Sequence, residues 1–469
     1  RLSLFFMFLL AITPARADDL ERISRRGKEL LAAGRFEQAI PVYRELVSAL
    51  PGNPGPVMNL GLALHMSGQE GEAVQQFQEV LRLAPNHQPA RLFLGAAYLG
   101  LRSPAEAVAP LNAVIRAEPK NTDARLLLGQ AFLALERYQS AVAQFQKLAA
   151  LDPGSPKAWN GLGLSYEGLA SRDFIALEKA ALGSAYWLVV VGEARASVGM
   201  SVRAFLLYRE ALSKMAGLRG VHRAIAQIYR NNNHPDWAAI EEEKEDKLPP
   251  LPCSAPQAVK TSLRVANPKT DLGVSRPNEG AVSRKLECEF WAGRFERVIA
   301  LSKGTNTVEA RFWRTRAYNE LARQAFSRLA QLPPSAEVHE LLATIHFNRK
   351  RYAESAREWE EALRLSPGNS FYQERLAVTL TSGREYTRAR PILEDLISKS
   401  PNSLELNYWL GYTLVELAEV DKAVPLLEKA VEADPQLPAA HKELARAFMQ
   451  SGQAEKAIPH LKAALSADE

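Results

Sequence analysis

Proline recurs at Pro51, Pro85, Pro119 and Pro153, each 34 residues after the last. No other feature constrains the fold so tightly, because a fixed period of this length marks a chain built from one small unit repeated. Other places march in step: Gly27, Gly61, Gly95, Gly129 and Gly163; Ala39, Ala73, Ala107 and Ala141; and the bulky series Tyr43, Phe77, Leu111 and Phe145. The apolar residues between them follow a helical period, so each unit reads as two short helices. Small Gly on the first helix and Ala on the second let the pair approach closely, and the bulky residue four after the Ala fills the gap beside them. Proline then stops the second helix and sets the exit to the next unit. One such hairpin cannot cover its own apolar stripe, so neighbours must stack, and stability becomes nearly a sum over adjacent units.

Trp159, Leu162, Gly163 and Tyr166 complete a W-x2-L-G-x2-Y pattern. With the A-x3-F and P places, the 34-residue unit resembles the tetratricopeptide repeat. The resemblance implies an all-α, right-handed α-solenoid of stacked antiparallel helix hairpins, interrupted by one irregular Pro-rich segment. Trp159 opens a fifth unit, whose second helix is expected to be short, near Asp173 to Ala181. A sixth unit takes Gly192, Ala204 and Tyr208, and a weak seventh takes Tyr229, Ala238 and Pro250. Helical pairs resume near Ala281, with a turn at Gly293, and a short pair is expected from Val308 to Leu332. Regular units return with Trp359, Ala362 and Pro367; Ala389, Leu393 and Pro401; Gly411, Ala423 and Pro435; and Gly452, Ala457 and Ala464. The count comes to about thirteen hairpins.

The expected organisation is a signal peptide over 1–17, an N-terminal array over 18–250, a basic Pro-rich segment over 251–280, degenerate helical pairs over 281–334 and a C-terminal array over 335–469. The apolar run Leu2 to Ile12 followed by Ala15-Arg16-Ala17 reads as an export signal cleaved before Asp18, and the run is too short to span a bilayer. Export to a bacterial periplasm or to the exterior is therefore expected. Net charge is +5; residues 1–17 carry two of the bases, and residues 253–285 hold six bases against two acids. The excess lies in one irregular segment and not along a folded face, which sets nucleic-acid binding aside.

Two cysteines, Cys253 and Cys288, bracket that segment. In an exported chain they are expected to form a disulfide, restricting the unfolded chain by roughly 4 kcal/mol in the entropic model. His339 and His346 share a helix face but miss the H-E-x-x-H spacing and have no evident third ligand, so no metal site is expected. There is no G-x-S-x-G, P-loop or dinucleotide motif, so neither an enzyme nor a cofactor is expected. An enzyme with a site in residues 251–304 is the least favoured alternative.

By the resemblance, fixed places on each first helix line a groove that holds peptides. In the early units these are Met58, Leu62, His65 and Met66; Leu92, Ala96 and Leu99; Leu126, Gln130 and Leu133; and Asn160 and Leu164, mostly apolar. In the late units they are Glu337, Glu340, Phe371, Glu374, Val378, Glu405, Tyr408, Tyr412, Glu416, Lys442 and Arg446, acidic and aromatic with two cations at the end. Lys442 and Arg446 make at best part of the carboxylate clamp that some family members use. The expected function is a non-enzymatic scaffold binding protein or peptide partners and supporting assembly of an envelope complex, with self-association as the first rival.

Overall fold

The computed structural model describes residues 14–251, 253 and 279–466. The expected apolar signal run and most of the Pro-rich segment lie outside the described residues; Pro14–Ala17 begin the first helix. Among the described residues there are twenty-four helices and no strand. The first four hairpins are α1 (Pro14–Ala32) with α2 (Phe36–Ala49), α3 (Pro54–Met66) with α4 (Glu70–Leu83), α5 (Gln88–Gly100) with α6 (Pro104–Ala117), and α7 (Thr122–Ala134) with α8 (Tyr138–Leu151). Then come α9 (Pro156–Ala181), α10 (Ala185–Ser197), α11 (Ser201–Lys214), α12 (Val221–Asn231), α13 (Pro235–Asp246), α14 (Glu279–Trp291), α15 (Phe295–Leu301) and α16 (Val308–Ala330). The last four hairpins are α17 (Ala336–Asn348) with α18 (Tyr352–Leu365), α19 (Ser370–Ser382) with α20 (Tyr386–Lys399), α21 (Leu404–Glu416) with α22 (Val420–Ala433), and α23 (Pro438–Gln450) with α24 (Ala454–Ser466).

Local chemistry explains where these helices begin and end. Asn53, Asn121, Asn369 and Ser403, two residues after the stopping proline, cap α3, α7, α19 and α21 through their side-chain oxygens. The turn inside each hairpin needs one left-handed residue, supplied by Gly34, Gly68 and Gly452 but also by Arg102, Glu136, Lys350, Arg384 and Ala418. A second lock repeats between units. The side chain six residues after the proline donates to that proline's carbonyl oxygen: Arg91 to Pro85, Arg125 to Pro119, Trp159 to Pro153 and Asn407 to Pro401, with His441 Nε2 3.0 Å from the Pro435 oxygen. Four residue types thus satisfy one otherwise orphaned helix-end carbonyl.

The fifth hairpin departs from the expectation. α9 is one continuous helix to Ala181, so no second helix turns back at Asp173 to Ala181, and Val308–Ala330 is likewise one helix, not a short pair. In α9 the residue matching the left-handed turn place is Ala170, and it is buried. Leu162, Tyr166, Leu169, Ala170, Asp173 and Leu177 carry the buried stripe straight past it, and the first left-handed residue after them is Gly183. The missing partner is α16, which runs antiparallel to α9. Tyr166 stacks near Tyr318, Arg314 clasps Asp173, and Arg311 donates to the Ala176 carbonyl oxygen at 2.6 Å. Gly163 faces the Phe326 ring so closely that a Cβ there would collide with it, as a Cβ on Gly129 would meet Phe145 at 2.7 Å. Ala322, Phe326 and Pro334 keep the Ala, +4, +12 spacing of Ala141, Phe145 and Pro153. Among the described residues the helices therefore make twelve antiparallel pairs, and residues 182–307 are inserted in the turn of the fifth.

The chain divides into two compact units, each considered over its described residues. The first takes in Arg1–Ala180 and Leu251–Phe326, the second Ala181–Pro250 and Ser327–Glu469. Each has a core of the repeat residues: Ala39, Tyr43, Ala73 and Phe77 in the first, Trp359, Leu393, Leu427 and Leu444 in the second. In the second unit the Arg351 guanidinium, at the α17–α18 turn, donates to the Ser197 carbonyl oxygen at 2.8 Å.

Candidate functional site

Successive first helices touch, α3 on α5, α5 on α7, α19 on α21 and α21 on α23, and approach one another more closely than second helices such as α4 and α6 do. Elements that crowd lie on the inside of a curved stack, so within each unit the first helices form the inner face. Residues 34 apart then stand in rows across it.

In the first unit Met58, Leu62, Leu92, Leu99, Leu126, Leu133 and Asn160 are half-buried, Gln130 is exposed, and Leu164 and Met66 are 37% and 50% exposed. Their neighbours on the same helices, Leu60, Leu64, Leu94 and Leu128, are buried at 6% exposure or less. Each first helix thus has one apolar side in the core; on the other side Met58, Leu92 and Leu99 still pack against the core while keeping part of their surface in water, and Leu164 and Met66 are more exposed. His65 is taken up inside its own hairpin, Nδ1 2.7 Å from Glu70 Oε2.

In the second unit the rows are Glu337, Phe371 and Glu405; Glu340, Glu374, Tyr408 and Lys442; and Thr344, Val378, Tyr412 and Arg446. Glu340 and Glu374 are half-buried, Val378 is buried, Glu405 and Lys442 are exposed and Phe371 is 51% exposed. The Tyr372 hydroxyl donates to Glu340 Oε2 at 2.9 Å, and burial followed by this carboxylate pushes the Tyr372 phenol up to about 12. Burial, then the charge of Glu443, pushes Tyr408 up to about 12 as well. Tyr408 and Tyr412 stack with centroids 6.4 Å apart. Arg446 lies 5.4 Å over the Tyr412 ring and pairs with Glu416 at 2.6 Å and Glu443 at 3.1 Å. Its charge is already matched from within the fold, whereas Lys442 is exposed and acts on Glu443 through its charge alone.

Cys253 and Cys288 sit at disulfide distance, Cα to Cα 5.5 Å. The two singled-out histidines do not converge: His339 Nδ1 is 2.7 Å from Glu358 Oε2, and burial depresses the His346 imidazole below its ordinary value. Among the described residues no group of three metal-ligating side chains occurs, and no helix is long and apolar enough to cross a membrane. Sequence reasoning missed the Asp173–Arg314 pair, both side chains about an eighth exposed, whose guanidinium also donates to the Ser302 and Thr305 carbonyls. It also missed the repeated proline-carbonyl lock, although the spacing of six was there to be seen.

Comparison with known proteins agrees with the repeat. Three sequence models described as tetratricopeptide repeat match residues 24–87, 94–156 and 132–184; residues 336–369; and residues 380–436 and 419–469. These segments flank 185–335, which holds the insertion and the helix that returns to close the fifth hairpin. No curated protein matches the chain. Among solved structures, MamA residues 41 to the end from Desulfovibrio magneticus RS-1 is 20% identical, covering 51% of this chain and 97% of its own, at a TM-score of 0.30. A tetratricopeptide repeat protein from Parabacteroides merdae ATCC 43184 is 12% identical, covering 77% of this chain and 99% of its own, at a TM-score of 0.32. Nothing about function rests on likenesses this distant. With the 34-residue signature, the helix pairing and matches over more than half of its length, the chain belongs to the tetratricopeptide repeat family.

Proposed function

We propose that this protein is an exported, non-catalytic scaffold that binds segments of partner proteins along the inner, first-helix faces of its arrays and supports assembly of a complex in the bacterial envelope. The observation that carries the binding reading is the part-exposed apolar row Leu62, Leu126, Leu133 and Leu164, continued by Met58, Leu92 and Leu99, which also pack against the core. Apolar surface left in contact with water marks an interaction site. An amphipathic segment laid across the row would cover it. Export rests on the apolar run and the small residues before Asp18.

The test is the pair Leu92→Glu with Leu126→Glu. On the binding reading, crosslinked partner capture from the native envelope falls at least tenfold while the melting temperature holds. Collapse of the melting temperature would instead place both side chains in a core, where an unpaired carboxylate costs several kcal/mol, and would end this reading of the face. Export is checked separately by N-terminal sequencing of the mature chain; recovery with the apolar run intact would refute it.

Self-association is the second reading, since a second copy of the chain would cover the same apolar row. Mass measured across a concentration series distinguishes the two.

A further inference from the structure

Several carboxylates on and beside the second helices of the second unit are matched by cations: Glu361 by Arg364 at 2.8 Å, Glu394 by Arg390 at 2.7 Å, Asp395 by Lys399 at 2.6 Å, Glu419 by Lys422 at 2.8 Å, and Glu360 and Glu385 by Arg388. On the inner face, among the described residues, no cation pairs with Glu340, Glu374 or Glu405. Glu340 accepts only the Tyr372 hydroxyl, Glu405 only a long contact of 3.4 Å from Ser403, and Glu374 none. A face with unmatched carboxylates beside an exposed Phe371 is complementary to a cation on an alkyl stem. The same face already shows how a guanidinium is held: Arg446 lies over Tyr412 with Glu416 and Glu443 on its edges, and Arg375 lies 5.6 Å from the Phe347 centroid.

Resting on the reading that first-helix faces bind partner segments, we infer that the inner face of α17–α23 receives an extended polypeptide segment bearing arginine or lysine. The row Glu340, Glu374, Tyr408, Lys442 gives that segment a direction: cations over the first two helices, an apolar side chain at Tyr408 and an acid at Lys442. Neighbouring helix axes lie roughly 8–10 Å apart, and an extended chain advances about 3.3 Å per residue. The recognised side chains are therefore about three residues apart.

The experiment uses the full chain and a fluorescein-labelled peptide of two Arg-Ser-Ser units followed by Leu-Ser-Ser-Glu, read by fluorescence anisotropy against the same peptide with every charge reversed. The Arg peptide is expected to bind at least tenfold more tightly than its reversed partner. Glu340→Gln with Glu374→Gln should remove most of that preference, and Glu374→Lys should shift preference toward the reversed peptide. Equal binding of both peptides, no binding of either, or a preference untouched by the double Gln variant with unchanged melting would overturn the inference. If the Arg peptide fails while Leu92→Glu with Leu126→Glu still abolishes partner capture, the cationic ligand is wrong and the scaffold reading stands. If the Arg peptide binds while that capture is unaffected, partner binding resides on the second unit and not on the apolar row.

Discussion

Hairpin α7/α8 and hairpin α9/α16 make the same contact by different routes. In the first, Gly129 meets Phe145 sixteen residues on; in the second, Gly163 meets Phe326 across the whole insertion. The difference teaches that the repeat is defined by which surfaces interlock and not by chain continuity. A second helix from far away serves if it carries the small residue, the ring and the stopping proline at the right places. What changes is the cost of bringing the helices together, because a long loop must be closed before the contact forms. The long hairpin carries a largely dry ion pair, Asp173 with Arg314, and Arg311 on the Ala176 carbonyl, where the short one has the neutral acceptor Gln144 taking a hydrogen bond from Arg125 at 3.2 Å.

The largest expected effect compares the two rings directly. Phe145→Ala and Phe326→Ala should each destabilise by about 4 kcal/mol through the cavity left behind, but with different footprints in hydrogen exchange. Phe145→Ala should loosen α7 and α8. Phe326→Ala should loosen α9 and α16 and leave α1–α4 protected, since coupling along a solenoid is local. Unchanged protection of α9 in the Phe326 variant would dissolve the split hairpin.

Next in size is Asp173→Ala, which leaves the Arg314 guanidinium in a largely dry site and should cost about 3 kcal/mol. Arg314→Met in the same background should recover part of that loss, as expected when a stranded charge is the fault. An exposed pair such as Arg44 with Glu72, at 2.7 Å, should respond to the same treatment by less than about 1 kcal/mol. Equal costs at both places would mean that the clasp adds nothing to the long hairpin.

The smallest effect concerns the bridge at Cys253 and Cys288. Cys253→Ser should lower stability by about 2 kcal/mol and raise exchange in α14 and α15 while α1–α8 stay as they were. A loss spread evenly along the chain would contradict local coupling.

The regular hairpins were legible because each depends on residues within one 34-residue window, and Pro51, Gly61, Ala73 and Phe77 name their neighbours by spacing alone. The fifth was misread for a physical reason. Asp173 and Arg314 lie 141 residues apart, and nothing local distinguishes a helix that stops at Ala170 from one that continues, since Arg102, Glu136 and Ala418 take the left-handed turn without a glycine. The Ala322, Phe326, Pro334 spacing marks a second helix but does not say which first helix it closes on. The candidate faces were legible as to place, because helical periodicity decides which side chains share a side. Their state was not: that His65 is spent on Glu70, that Arg446 is spent on Glu416 and Glu443, and that Glu374 has no cation partner among the described residues are facts of neighbouring elements.

By itself the sequence determined the unit, its caps and stops, its core residues and the family, because these follow from contacts and hydrogen bonds within a few turns of helix. Only the tertiary structure decided which helix closes the fifth hairpin, which residues gather into each compact unit and which charges on the inner faces remain unmatched. Those outcomes depend on groups far apart in sequence meeting at a few ångströms, and both packing and charge pairing act over that distance and not over chain length.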